Sequence, residues 1–87
     1  MPSDEAKAAF DEAQRIAAEM RDIYAQGLLV AQMRGQATDA ATIETLRRER
    51  SKLQQEWATL AGKYTEAVGR FSRANDKATR EHRQRLG

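Results

Sequence analysis

The chain has 87 residues, 32% of them charged, with no cysteine and a single proline at position 2. That length allows one domain at most and a small core; the lack of cysteine excludes disulfides and thiolate metal sites, and no apolar run of about 18 residues is present to span a membrane. The formal net charge of +2 is uneven: residues 1–69 carry nine basic and eleven acidic side chains, residues 70–87 six basic and two acidic.

Ala, Glu, Gln, Arg and Lys dominate the composition, as in long helices and coiled coils. The opening MPSDEAKAAF is acidic and has no apolar segment, so it does not read as a secretory signal. The expected location is cytoplasmic, with signal-less export as the alternative. Ser3 is placed to cap a first helix, with Asp4 and Glu5 favouring the positive end of its dipole.

The first helix is expected over about residues 4–33. Its apolar positions Ala9, Ala13, Ile16, Met20, Ile23, Gly27 and Val30 step by three and four, and Phe10, Ala17, Tyr24 and Ala31 widen that stripe. Gly27 costs the helix roughly 1 kcal/mol relative to Ala and allows a facing group to come close. Leu28, Leu29 and Met33 break the stripe near the C-terminal end. They read either as scattered surface residues or as a second contact patch at the hairpin tip.

Gly35 is the expected helix stop, after Arg34 in the last turn. Residues 34–38 form a turn, and Thr38 or Asp39 caps the next helix without a complete capping box. A link this short between two long helices implies an antiparallel hairpin.

The second helix is expected over about residues 39–84. Ile43, Leu46, Arg50, Leu53, Trp57, Leu60, Tyr64, Ala67, Phe71, Ala74 and Ala78 make a heptad seam with one ionic member, Arg50. Arg50 sets register or partner choice, pairs with Glu19 or Asp22, or lies on a partly exposed seam edge. Trp57, Tyr64 and Phe71 recur every seven residues, as packing anchors do. Ala58, Ala61, Gly62, Thr65, Val68, Gly69 and Ser72 form a strip of small residues. Either another helix approaches it closely, or Gly62 and Gly69 loosen the helix.

The two lengths differ: about 30 residues span roughly 45 Å and residues 39–84 roughly 69 Å. Counting outward from the turn places Ile23 near Arg50, Ile16 near Trp57 and Phe10 near Tyr64. On that register residues 70–87 are a basic overhang and Phe71 has no partner in its own hairpin. Arg70, Arg73, Lys77 and Arg80 then share one sector, suited to an acidic protein, to nucleic-acid phosphates or simply to solvent.

In length and hairpin shape the chain resembles the small secreted helical-hairpin proteins that carry a Trp-x-Gly motif in the turn. Here the turn reads Arg34-Gly35-Gln36 and the one Trp sits mid-helix in Trp57-Ala58-Thr59, so the resemblance implies shape alone.

No catalytic constellation, metal spacing or phosphate loop is present; the one histidine, His82, lies in the charged tail. The expectation is a single all-α domain over residues 1–87, a coiled-coil-like hairpin that oligomerises into a helical bundle. Its function is non-enzymatic protein–protein interaction, as an adaptor, chaperone, assembly factor or inhibitor. Leu28, Leu29, Met33, Arg50, Trp57, Gly62, Tyr64, Gly69 and Phe71 are the expected partner-binding residues. No cofactor, metal, membrane or small-molecule substrate is expected. Nucleic-acid binding through Arg70, Arg73, Lys77 and Arg80 is the alternative.

Overall fold

The computed structural model describes residues 3–86; the outermost residues of the expected 1–87 domain lie outside them. Among the described residues there are two helices, α1 (Asp4–Gln36) and α2 (Ala40–Leu86), packed against each other without any strand. Each start has a local cause. The Ser3 hydroxyl accepts from the Ala6 N–H at 3.0 Å, satisfying one of the amides the first turn leaves open. The Asp39 carboxylate accepts from the Thr42 N–H at 2.9 Å and from the Thr42 hydroxyl at 2.8 Å. The backbone bond first, then the hydroxyl, favours the ionised form and holds this carboxyl below the ordinary aspartate value.

The end of α1 departs from expectation. Gly35 is helical, no glycine among the described residues has positive φ, and α1 continues to Gln36. A glycine in the last turn is compatible with a helix when nothing requires the left-handed conformation. The break comes instead at residues 37–39, where Asp39 turns its carboxylate to the amides of α2.

The chain divides into two compact units. One is Ala18–Ala61, holding the connection. Its buried cluster is Val30, Leu46 and Leu53, with Ile23 and Ala37 packed against it. The other joins α1 up to Ala17 with α2 from Gly62 onward. Its buried residues are Ala6, Ala9, Ala13, Ile16, Ala67 and Ala74. Alanine at most of these positions lets the helices approach closely but buries little area per residue.

In this second unit the register differs from that counted out from the turn. Phe71 is partnered: its ring centroid lies 5.8 Å from that of Phe10, at an interplanar angle of 51°. Arg70 binds Glu12 at 2.7 Å, and Ala74 is buried. Phe10 thus meets Phe71, one heptad beyond Tyr64, and α2 remains covered by α1 past Gly69.

Candidate protein-docking surface

A heptad seam offers two alternating positions, and α2 uses them unequally. Leu46, Leu53, Ala67 and Ala74 are buried and Leu60 is half-buried; in the other set Arg50, Trp57 and Tyr64 are exposed, with Ile43, Phe71 and Ala78 half-buried. The packing anchors expected at Trp57 and Tyr64 are therefore not core residues of this chain. They retain 43% and 39% of their exposure. On α1 the positions beside the seam behave alike: Phe10 is 47% and Tyr24 64% exposed.

In the Ala18–Ala61 unit these side chains frame an open concavity of about 530 Å³, lined by Ile23, Tyr24, Gly27, Leu28 and Ala31 from α1 and by Arg50, Leu53, Gln54 and Trp57 from α2. Gly27 helps to open it, since a Cβ there would meet nothing within 4 Å. The close approach expected at Gly27 is thus not made within the chain. Arg50 is exposed and lines the concavity. Among the described residues it forms no ion pair with Glu19 or Asp22. Its guanidinium supplies a fixed positive charge beside an apolar surface.

In the other unit a smaller concavity of about 190 Å³ is lined by Phe10, Ala13, Gln14, Ala17, Tyr64, Val68 and Phe71. The Phe10–Phe71 contact forms part of its wall.

The tip residues separate. Leu28 lines the larger concavity, while Leu29 and Met33 are exposed. At about 100° per residue, Leu29 and its i+4 neighbour Met33 face a different side of the helix from Tyr24 and Leu28. The expected single patch is therefore two surfaces. Gly62 lies in open space, and the nearest group to a Cβ at Gly69 would be the Arg73 guanidinium, at 3.3 Å. Neither glycine accommodates a helix of this chain.

The basic sector is partly neutralised by α1. Arg70 is held by Glu12 at 2.7 Å, and Glu5 shares a surface depression with Arg70, Arg73 and Lys77. Arg80 is exposed. Among the described residues no cluster of His, Cys, Asp or Glu is arranged to hold a metal, and no helix is long and apolar enough to cross a membrane.

Phe10, Tyr24, Gln54 and Val68 belong to these concavities, although Phe10 and Tyr24 read as core-widening, Val68 as part of the small-residue strip and Gln54 as unremarkable surface. The available signal was the seven-residue repeat of Phe10, Ala17, Tyr24 and Ala31, which runs beside the seam rather than on it. No protein family, curated protein or solved structure matches the chain.

Proposed function

We propose that this chain is a non-enzymatic protein–protein interaction module that assembles with other helices into a bundle. One observation carries the reading: the exposed half of the α2 seam, Arg50, Trp57 and Tyr64, bears two of the largest apolar side chains in the molecule. Aromatic residues and arginine concentrate where proteins bind one another, and water-exposed rings in register are unfavourable until covered. The thin core agrees with this. Five of the nine buried hydrophobic residues are alanine, and no large side chain among the described residues is fully buried. Adaptor, chaperone, assembly and inhibitor roles all use such a surface. Nucleic-acid binding has less support, because Glu12 binds Arg70 and Glu5 lines the same depression as Arg70, Arg73 and Lys77.

The test compares what native extract yields on the intact chain and on a Trp57→Ser/Tyr64→Ser variant of equal helix content. The proposal expects a specific protein, or the chain itself, on the first and its loss on the second. Identical capture by both, or no specific protein on either, refutes it.

A further inference from the structure

Resting on that reading, we infer that the concavity of the Ala18–Ala61 unit receives an amphipathic helix of a partner protein, one with a single carboxylate set among the apolar residues of its docking face. The sign of the charge follows from Arg50, the one charged side chain that lines the concavity. Arg50 is exposed, and among the described residues no carboxylate pairs with it. Its own helix supplies none at the spacing where helical side chains meet. Three and four residues away stand Leu46, Arg47, Leu53 and Gln54. The α1 side of the lining, from Ile23 to Ala31, contributes no carboxylate either. A purely apolar occupant would strip water from this cation and leave it unpaired, so a stable occupant brings the countercharge itself.

The shape selects a helix. The lining advances at helical spacing on both sides: Ile23, Gly27 and Ala31 by fours on α1, and Arg50, Leu53 and Trp57 by three and four on α2. The furrow is therefore about two turns long, roughly 12 Å. A third helix seats a ridge of side chains in such a furrow. A Cβ at Gly27 would meet nothing within 4 Å, which leaves room for a bulky apolar side chain of the occupant. Tyr24 and Leu28 on α1 and Trp57 on α2, all exposed, are then covered together, as helix-in-groove recognition requires.

Other occupants suit the furrow less. Small-molecule sites bury most of the ligand's surface, whereas this concavity of about 530 Å³ is open. A second copy docked furrow to furrow would bring another Arg50 and no carboxylate.

The probe is a displayed library of helices of about 18 residues, roughly 27 Å long. One face is held polar, and each position of the other is Leu, Ala, Glu or Lys. The library is selected on the intact chain and on Arg50→Glu and Arg50→Gln variants of equal helix content. Arg50 is a surface residue, so both variants keep the fold. On the intact chain the expected winners carry one Glu amid Leu, and bind about tenfold or more tighter than the same peptide with Lys in its place. The preference reverses on Arg50→Glu and vanishes on Arg50→Gln. The winning peptide shifts the emission of the single tryptophan, Trp57, to the blue. No enrichment, indifference between Glu and Lys, an unreversed preference or an unmoved emission overturns the proposal. So does decanoate that matches the peptide's affinity, or protection of Trp57 by self-association alone. Capture of a protein from native extract that depends on Trp57 and Tyr64 but not on Arg50 sinks the acidic helix and leaves the interaction reading standing.

Discussion

Leu53→Ala probes how much of the hairpin rests on its few large buried side chains. Leu53 is 5% exposed and packs with Val30 and Leu46 in the Ala18–Ala61 unit. Truncating a buried leucine costs 2–5 kcal/mol in general, of order, depending on how far the site can close. Here the lower part of that range applies, about 2–3 kcal/mol, because Leu53 also borders the open concavity and its neighbours can relax into that space. For a chain of this size the loss lowers Tm by roughly 10–20 °C. Thermal melts followed by far-UV circular dichroism, at matched low concentration, measure it. Leu28→Ala is the control: Leu28 is 57% exposed, so its loss costs less than about 0.5 kcal/mol in the isolated chain. Equal effects of the two substitutions would refute the assignment of Leu53 to the core and of Leu28 to the exposed surface.

Acidification tests the cap of α2. The folded-state pKa of Asp39 is depressed, so its stabilising contribution is complete above the unfolded value and is lost as pH falls through the folded one, below about pH 4. Asp39→Asn keeps a capping group and removes that component, so an unchanged acid-titration profile of stability would contradict it. The Arg70–Glu12 pair leaves its two side chains 47% and 39% exposed; Glu12→Gln therefore costs less than about 0.5 kcal/mol, and salt diminishes the effect. A larger, salt-independent loss in denaturant titrations would show that the pair is not screened. Gly27→Ala adds a methyl group into open space and stabilises the isolated helix by roughly 1 kcal/mol, raising its melting temperature. A destabilised monomer would show that the concavity at Gly27 is absent in solution.

The two helices, their caps and the apolar stripe were legible because periodicity and capping are local. All seven seam residues of α1 from Ala9 to Val30 are buried or half-buried. Gly35 misled because glycine is both the commonest helix stop and a tolerated residue of a last turn; only φ distinguishes them. That error shifted the start of the turn by three residues, and the seven-residue spacing of Tyr64 and Phe71 left the choice of partner for Phe10 open. Either ring suits Phe10 in sequence, and contact alone selects Phe71. The unequal use of the α2 seam was hidden for a related reason. A heptad pattern says that two positions face inward but not how far the second helix sits to one side of them. Trp57 and Tyr64 therefore read as core, although the chain leaves them at its edge.

The most direct measurement is the accessibility of the single tryptophan to iodide across a dilution series of the purified chain, followed together with its mass. Trp57 is expected to be openly quenched in the dilute free chain, and to become protected, with its emission shifted to the blue, once the chain is bound to its partner. A Trp57 equally open to iodide at every concentration and in the complex captured from native extract contradicts the burial of this edge by a partner.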